Sequence, residues 1–354
     1  MAVAGACAEQ EANSTDPNAY SLQRIKDKYD TGTSLPYGRN FNFVENDCAW
    51  MTGIRIHGTN MYISNRGRDN HLDSDEVKIF KLAINSADGS PDQTLNLGDQ
   101  DTGGIFDSID AFDLASNGVN LLIGAFHGTG GVRSGTLATA FDFTSTFTAT
   151  GSLKPSGGNG VRACSWNNDG TKYYMGYGIT TNSSTIRQFT AATAYTTDSG
   201  DTEGTAKSLS FNNVADISFN PDGTRLYVAE HDGFLHQFTL TTAFDTSTAT
   251  SQVTVDVTDF FYANDESGIY KSPSRPSTDT DTTQWICGMH WNDDGTKLYI
   301  NSLWGSTKQS AMANGDGSDA NNKPNPENVT GSDTAGTGTT SRKNTYAVIE
   351  FTVA

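Results

Sequence analysis

The chain has 354 residues, 41 of them acidic and 23 Lys or Arg, and its formal net charge at pH 7 is −18. This acid excess argues against direct binding of bare nucleic acid, because contacts to phosphate require clustered Lys and Arg. No apolar run approaches the roughly 18–20 residues that a membrane-spanning helix needs, so membrane insertion is not expected. The 36 Gly and the many Thr, Ser, Asn and Asp residues favour short strands and turns over long helices.

The N-terminal region, residues 1–37, precedes the patterned part of the chain and is interpreted as an extension. Small residues come before Cys7, which is expected to be exposed. The segment has neither a basic start nor a hydrophobic stretch of sufficient length, so a signal peptide is not expected. The long helix-forming side chains of the chain are concentrated at 22–28.

One stretch occurs three times in nearly the same form. The copies are WNNDGTKYYMGY at 166–177, FNPDGTRLYVAE at 219–230 and WNDDGTKLYINS at 291–302, and two weaker copies precede them, DCAWMTGIRIHGTNMYIS at 47–64 and DAFDLASNGVNLLIG at 110–124. Each copy predicts a strand, a tight turn through a glycine and a second strand rich in β-forming residues. Such repetition is typical of an array of like units.

The turn glycines of the five copies give the length of the unit. They are Gly58, Gly118, Gly170, Gly223 and Gly295, separated by 60, 52, 53 and 72 residues. Each unit therefore has room for four short strands and their loops. In the fourth copy the strands are predicted at 216–219, 225–229, 235–240 and 252–257. A loop of the type TTAFDTSTATS follows the third strand of three copies and is interpreted as a solvent-side turn held by Asp and Thr side chains.

The two ends of the chain fit one incomplete unit. The fifth copy contributes strands at 286–291 and 297–302 and, after a long insertion, TYAVIEFTVA, with no fourth strand after it. The segment at 38–50 resembles a fourth strand leading into a first strand, so residues 40–44 are predicted to complete the last unit. We therefore predict an all-β fold, a five-bladed β-propeller at 38–354 closed by pairing of the N-terminal strand with the C-terminal blade. Six blades are the alternative, if AYSLQRIKDKYDTGTS belongs to a further partial blade.

Aromatic and cysteine residues recur at matching places in the units. The aromatic residues predicted to end the first strands and to pack blade on blade are Trp50, Trp166, Phe219 and Trp291. Cys48 and Cys164 lie two residues before such a residue, and Cys287 lies close to the matching place. Because matching positions lie around a ring, small buried thiols are predicted rather than disulfides. The cysteines form no CxxC pair or Cys/His cluster, so they predict no metal site.

The sharpest chemical pattern is a set of carboxylates near the starts of the first strands. They are Asp47, Asp110 and Asp216, with Arg162 at the matching place in the third copy. Five-bladed glycosidases place three carboxylates on their innermost strands to serve opposite faces of a sugar, so this set is the candidate catalytic group of a glycan-processing enzyme. A structural role as turn caps is the favoured alternative. The histidines are scattered, and His290 is interpreted as a packed core residue.

Two acidic stretches could supply ligands to calcium, but no calcium site and no other cofactor is predicted. Closely spaced oxygen ligands occur in DNHLDSDE at 69–76 and NGDGSDANN at 314–322. Neither stretch completes a calcium-binding loop of known spacing, so both are interpreted as solvated polar loops.

PDGTRLYV at 221–228 resembles the strand, turn and strand signature of YVTN and lactonase-like propeller repeats. The longer stretch at 219–250 is similar to repeats in structural proteins of marine bacteriophages, and the resemblance extends over most of 38–354. It implies a virion structural protein, a tail component or capsid decoration, that is assembled in the host cytoplasm and acts by binding within an oligomeric assembly. Because propellers also serve as enzymes and receptors, a glycan-processing or glycan-binding propeller is the alternative.

Two segments that depart from the repeat are the predicted contacts with partners, namely other virion proteins or a host surface glycan or receptor. The first is 259–285, and the second is the insertion at 303–344, rich in Gly, Ser, Asn, Asp and Thr. The aromatic residues that would supply interface area are Phe260, Phe261, Tyr262, Tyr270 and Trp304. The alternative for the first segment is that its rings simply cap the blade.

Overall fold

The computed structural model describes residues 19–29, 36–39, 51–65, 77–85, 91–97, 109–125, 130–154, 160–177, 184–211, 214–231, 233–257, 260, 263–264, 268–269, 286–302 and 348–353. Within these residues the chain forms five sheets of four or five strands, all antiparallel, and one two-stranded ribbon. Each large sheet is a blade, and its strands are called a to d from the channel outward.

The elements follow in chain order. Helix α1 (Leu22–Tyr29) and strand β1 (Tyr37–Arg39) come first. Blade 1 contains β2 (Met51–His57), β3 (Asn60–Asn65), β4 (Lys78–Ala83) and β5 (Gln93–Asn96), and blade 2 contains β6 (Ala111–Leu114), β7 (Asn120–Ala125), β8 (Gly131–Leu137) and β9 (Phe147–Leu153). Blade 3 contains β10 (Ala163–Trp166), β11 (Lys172–Tyr177), β12 (Thr185–Thr190), β13 (Thr202–Glu203) and β14 (Lys207–Ser208).

Blade 4 contains β15 (Val214–Phe219), β16 (Arg225–Glu230), β17 (Phe234–Leu240) and β18 (Ala249–Asp256), with a 3₁₀ helix at Thr246–Thr248. The ribbon of β19 (Ala263–Asn264) and β20 (Gly268–Ile269) follows it. Blade 5 contains β21 (Ile286–Trp291), β22 (Lys297–Ser302), β23 (Val348–Thr352) and β1. The strands predicted at 286–291 and 297–302 therefore have the predicted bounds.

The turns between strands a and b have the predicted chemistry. In blades 2 to 5 the turn glycine has φ between 67° and 69°, a left-handed conformation that a side chain would disfavour. Asp222 accepts hydrogen bonds from the backbone N–H and the hydroxyl of Thr224 at 2.8 and 2.5 Å. The same pair of bonds recurs at Asp169 and Asp294. The Asp-Gly-Thr sequence thus determines where strand a reverses into strand b.

The five a strands form the inner wall of a ring. Each contacts the next, in the order β2, β6, β10, β15 and β21, and β21 contacts β2 again. The predicted five-bladed β-propeller is confirmed. The six-bladed alternative is wrong, because the residues assigned to a partial blade form α1, whose buried residues Leu22, Ile25 and Tyr29 pack on blades 4 and 5.

The ring is closed by the two ends of the chain, as predicted. Strand β1 pairs antiparallel with β23, with Tyr37 opposite Glu350 and Arg39 opposite Val348. The pairing residues precede the predicted 40–44, which lie outside the described residues. Part of the region interpreted as an extension therefore belongs to the ring.

Aromatic residues pack between the blades at the ends of the a strands. Trp166, Phe219 and Trp291 are the last residues of β10, β15 and β21, as predicted. The ring of Phe219 lies 4.5 Å from that of Tyr174 in blade 3, measured between centroids. Trp50 lies outside the described residues and precedes β2, so the prediction that it ends strand a of blade 1 is wrong. Strand a of blade 1 ends at His57 instead.

The loops between strands c and d share an unusual feature. In three blades an aromatic residue with φ of 57° or 58° lies over the turn glycine, and these cap residues are Phe141, Tyr195 and Phe244. The N–H of Phe244 donates to the Gly223 carbonyl at 2.9 Å, and a Cβ on that glycine would meet the ring at 2.3 Å. Asp and Ser or Thr side chains hold these loops, as predicted, and the repeated motif also positions a cap over the a–b turn.

Blade 5 receives its cap from the N-terminal region. Tyr20 has φ 56°, and its N–H donates to the Gly295 carbonyl at 2.8 Å. Two residues after Tyr20, the N–H of Leu22 donates to the Gln237 side chain of blade 4. In the same way, two residues after Phe244, the N–H of Thr246 donates to the Gln188 side chain of blade 3. The segment before α1 therefore takes in blade 5 the place that the c–d loop takes in blades 2 to 4.

Candidate functional site at the mouth of the channel

The channel is crossed by a buried ion cluster. Arg55, in β2, donates from Nε to Asp113 Oδ1 at 2.6 Å and from Nη1 and Nη2 to the two carboxylate oxygens of Asp216 at 2.7 and 3.1 Å. The side chains of Arg55, Asp113 and Asp216 are 1%, 10% and 3% exposed. Burial alone would lower the pKa of Arg55, but Asp216 and Asp113 raise it above its ordinary range, so the guanidinium stays charged.

The cluster also bonds to the backbone of the remaining blades. Arg55 donates to the Cys164 carbonyl at 3.1 Å. Asp113 accepts the N–H of Trp166 at 2.7 Å, and Asp216 accepts the N–H of Met289 at 2.9 Å. Three charged side chains therefore link the inner strands of all five blades and seal the channel at this level.

The predicted catalytic carboxylates have different environments. Asp216 is part of the sealing cluster. Asp110 and Arg162 occupy matching places one residue before strand a of blades 2 and 3, where their N–H groups donate to Gly124 and Gly176. Asp216 matches Ala111, the residue after Asp110. The pairing shows this, because Asp216 lies opposite Ala229 in blade 4 and Ala111 lies opposite Gly124, the equivalent of Ala229, in blade 2. Asp47 lies outside the described residues. The described members are therefore not three equivalent carboxylates around the channel.

Titratable residues also gather at the other end of the inner strands. Arg162 Nη1 lies 3.1 Å from His231 Nε2. The His236 ring lies 3.0 Å from Glu230 Oε2 through its Nε2 atom and stacks on Phe211 with ring centroids 3.9 Å apart. These contacts are part of the packing of blades 3 and 4.

A funnel opens above the ion cluster on the face of the a–b turns. It encloses about 630 Å³ up to and including its open mouth. Its floor is formed by the matching positions Asp113, Ser165, Ser218 and His290, and its wall includes Trp166, Phe219 and Trp291. Asn168, Asn292 and Asp293 from the turns line its rim, and Tyr20 also lines it.

Burial lowers the pKa values of both histidines of the funnel. Desolvation lowers the pKa of His290 well below 6.5, and nearby Arg55 and His57 lower it further. Its Nδ1 accepts the N–H of Ile56 at 3.2 Å. Desolvation also lowers the pKa of His57, whose Nε2 lies 2.9 Å from the Leu114 carbonyl. His290 is half-buried on its strand and lines the funnel, so it does not occupy the packed core position that the sequence predicted.

Three polar atoms of the funnel have no hydrogen-bond partner among the described residues. They are the indole Nε1 of Trp166, the hydroxyl of Ser218 and the indole Nε1 of Trp291. These residues are 5%, 5% and 3% exposed and come from blades 3, 4 and 5 in turn. Each of the three atoms is itself almost inaccessible to solvent, so they lie within the packing of blades 3 to 5 and not on the open surface of the funnel.

The two predicted partner segments leave the ring from the same face. Residues 259–285 end where β21 begins, at Ile286, and the insertion at 303–344 begins after β22 ends, at Ser302. Ile286 and Ser302 pair with each other, so the segments are anchored side by side, on the face opposite the funnel.

The described part of the first segment includes a core residue. Phe260 is 1% exposed and packs edge-on against Tyr29 and Phe351, at 6.0 and 5.4 Å between centroids. It therefore stabilises the contact of α1 with blade 5 and is not a surface residue. Phe261, Tyr262, Tyr270 and Trp304 lie outside the described residues, and their role stays a prediction.

The structure describes only some of the residues named in the metal and cysteine predictions. The stretches 69–76 and 314–322 lie outside the described residues, as do Cys7 and Cys48. Cys164 and Cys287 are buried, as predicted, and burial raises the pKa of the Cys164 thiol well above its ordinary value. Across the described ranges, no group of three or more His, Cys, Asp or Glu residues is arranged to hold a metal ion.

Sequence reasoning missed the residues that seal the channel. Arg55 and Asp113 were not singled out, although each is a lone charge within an apolar strand, GIRIH and AFDLA. A charge in such a place is seldom left buried unless it is paired, and this is the signal that could have identified both.

Comparison with known proteins adds little to the geometry. No protein-family description and no curated protein matches the sequence. Among solved structures, one similar chain belongs to "Crystal Structure of Mitotic Checkpoint Complex", with a TM-score of 0.37 and 14% identity, covering 70% of this chain and 57% of that one. This chain thus spans little more than half of that chain's length. In the part of the protein that the structure describes, no helix is long and apolar enough to cross a membrane.

Proposed function

We propose that this chain is a structural protein of a bacteriophage particle, in the tail or on the capsid surface, and that it acts by binding. The observation that carries the binding role is the sealed ring, in which Arg55, Asp113 and Asp216 link all five inner strands. A rigid scaffold of this kind holds loops in place for recognition. The assignment to a phage rests on the resemblance of 219–250 to repeats of marine phage structural proteins.

The anchoring of the two unusual segments supports contact with other virion proteins. Both start or end at the paired residues Ile286 and Ser302, so a partner on that face would meet them together. Residues 303–344 are rich in small polar side chains, a composition that suits ordering by a neighbour. The acidic surface, at a net charge of −18, favours solubility and disfavours direct contact with packaged nucleic acid.

Quantitative peptide mass spectrometry of gradient-purified particles tests the location. We expect the chain to be present, with a few to a dozen or so copies if it belongs to the tail and hundreds if it decorates the capsid. Absence from particles would overturn the virion assignment.

A deletion tests the role of the insertion. Removing residues 311–340 is expected to leave the unfolding temperature of the ring unchanged and to reduce incorporation into particles. A variant with the same residues in shuffled order is the matched control for length and composition. Unchanged incorporation of the deleted chain would contradict the proposal.

The alternative drawn from the sequence is a glycan-processing or glycan-binding propeller. Glycan processing gains no support from Asp216, whose carboxylate accepts hydrogen bonds from Arg55, Ile217 and Met289 and is almost fully buried. A catalytic acid or nucleophile must reach the glycosidic bond. If the chain binds a glycan, the funnel above the cluster is the concave surface available for it among the described residues.

A further inference from the structure

Blade 1 lacks the aromatic cap that covers the a–b turn of the other four blades. In blades 2 to 5 the cap residue donates its N–H to the carbonyl of the turn glycine at 2.8 or 2.9 Å, and its ring lies over that glycine, which is buried. Gly58 of blade 1 is exposed, and a Cβ on it would meet nothing within 4 Å. Among the described residues, none donates a hydrogen bond to its carbonyl. The position over this turn is therefore open and has an unused backbone acceptor.

The loop between strands c and d of blade 1 contains no aromatic residue that could fill the position. The N–H of Ile84 donates to the Thr59 carbonyl at 2.8 Å, and the same bond recurs before the cap in blades 2 to 4. In those blades the cap is the fourth residue after the donor. The fourth residue after Ile84 is Asp88, which lies outside the described residues, and 84–92 contains no Phe, Tyr or Trp. A ring over this turn must therefore come from another segment.

One blade of this ring already takes its cap from a separate segment. Blade 5 receives Tyr20 from the N-terminal region and not from a loop that follows its own c strand. A cap therefore does not have to be continuous with the blade that it covers. A loop of another protein can deliver one through the same backbone bond and the same ring contact.

Blade 5, which lies beside blade 1, carries the groups that hold a cap from the neighbouring blade. In blade 3, Lys172 Nζ donates to the carbonyl of the cap residue Phe244, and Gln188 Oε1 accepts the N–H two residues after that cap. Lys297 and Glu350 stand at the matching places in blade 5. Lys297 Nζ lies 2.8 Å from Glu350 Oε1, and its side chain is 42% exposed. Because an ammonium group has three donors, it can bond to a further acceptor.

We propose that the a–b turn of blade 1 is a docking site for an aromatic residue at the tip of a partner protein's loop. The ring would cover Gly58, and the N–H of the aromatic residue would donate to the Gly58 carbonyl. The carbonyl of the same residue would accept from Lys297, and the N–H two residues further along would donate to Glu350. This inference rests on the proposed binding role but not on a location in a particle.

Ligand-observed NMR titration of the full chain tests it. The probe is a disulfide-closed peptide that carries residues 241–248, the cap loop of blade 4, and the same peptide with Phe244→Ala is the matched control. We expect saturable binding of the first peptide and at least about tenfold weaker binding of the second, because the ring supplies most of the buried apolar area. No saturable binding, or equal binding of both peptides, would overturn the proposal. A chain that is present in particles and binds neither peptide would overturn this inference alone.

Two variants supply the ring from within the chain. Asp88→Phe and Asp88→Tyr introduce an aromatic residue at the position that matches the caps of blades 2 to 4, and Asp88→Ala is the control without a ring. We expect both aromatic variants to raise the unfolding temperature and to weaken binding of the peptide at least about tenfold, because the site is then filled. The Ala variant should bind the peptide as the native chain does. Native affinity and an unchanged unfolding temperature in both aromatic variants would refute the site.

A second copy of this chain is the other source of such a ring. Analytical ultracentrifugation of the native chain and of the variants at residue 88 measures self-association, and we expect no difference between them. Self-association that Asp88→Phe abolishes and Asp88→Ala retains would overturn the choice of a partner protein.

Discussion

Arg55 is the residue on which the centre of the ring depends. Its five N–H donors reach two carboxylates and two backbone carbonyls, those of Ile54 and Cys164. Only a planar guanidinium has this geometry, because an ammonium group has three donors at one point. The cluster therefore requires the donor geometry of Arg in addition to its positive charge.

Arg55→Lys is expected to destabilise the protein by about 3 kcal/mol or more, because it leaves part of a buried carboxylate pair uncompensated. Arg187→Lys is the matched control. Arg187 pairs with Glu203 at 2.7 Å, but their side chains are 23% and 37% exposed, so the expected loss is within about 1 kcal/mol. Urea denaturation of both variants measures the difference, and equal losses would contradict a special role for the cluster.

We expect His290 to make the stability of the ring sensitive to acid. Burial lowers its pKa well below 6.5, so below pH 6.5 the unfolded chain binds a proton that the native chain does not. Stability should therefore fall as the pH drops from 6.5 towards 4.5, by up to about 1.4 kcal/mol per pH unit for each such histidine. The carboxylates with lowered pKa, including Asp222 and Asp294, lose their contribution only at lower pH, below their ordinary value of 3.8.

His290→Asn tests this, since its side-chain oxygen can accept the Ile56 N–H as Nδ1 does in the native chain. The variant should show a shallower loss of stability between pH 6.5 and 4.5 in urea denaturation, with the slope due to His57 remaining. An identical pH dependence in both proteins would rule out His290 as a source.

At the scale of elements, the cap over each a–b turn joins neighbouring blades. The carbonyl of Phe244 in blade 4 accepts hydrogen bonds from Tyr174 Oη and Lys172 Nζ of blade 3, at 2.8 and 3.2 Å. The carbonyl of Tyr20 likewise accepts from Arg225 and Tyr227 of blade 4. One loop thus fixes its own turn and the blade before it.

Two glycines separate the effect of the cap from that of backbone strain. Gly58 and Gly223 have φ of 57° and 69°, but a Cβ at Gly58 would meet nothing within 4 Å, whereas at Gly223 it would meet the Phe244 ring at 2.3 Å. Gly58→Ala should cost about 1–2 kcal/mol from strain alone. Gly223→Ala should cost at least about 2 kcal/mol more, because it also displaces the cap. Equal losses in thermal or urea unfolding would show that the cap contributes nothing.

At the scale of the whole molecule, the ring is closed twice by the same N-terminal region. Strand β1 pairs with β23, and Tyr20 caps the turn of blade 5, where its ring lies 5.8 Å from that of Trp291. Helix α1 lies between these contacts and packs on blade 4. The two ends of the chain are therefore held together through three separate elements.

Truncation tests the closure. Removing residues 1–39 is expected to open the ring and to give a broad, less cooperative thermal transition with aggregation, because β23 keeps β22 but loses its outer partner β1 and becomes an exposed edge. Removing residues 1–18 keeps every contact described for Tyr20, α1 and β1 and should leave the transition unchanged. A sharp, unshifted transition in the longer truncation would show that the closure is dispensable.

The sequence by itself determined the number of blades, the a–b turns and the joining of the two ends. These follow from local signals, since five turn glycines lie between β-forming runs at intervals of 52 to 72 residues and three of them lie in Asp-Gly-Thr. Local turn chemistry does not depend on distant parts of the chain. The sequence also contained a local signal for the role of Tyr20, because Ala-Tyr at 19–20 matches the Ala-Tyr at 194–195 that includes the cap residue Tyr195.

Only the tertiary structure decided what lies at the centre. The three residues of the ion cluster come from three blades. Asp113 is 58 residues from Arg55 in the sequence and Asp216 is 161 residues from it, so no local pattern connects them. Their meeting depends on the closure of the ring and on a one-residue difference in position between Asp110 and Asp216. Burial then decided their chemistry, because a buried carboxylate paired with a guanidinium is withheld from solvent and serves the fold.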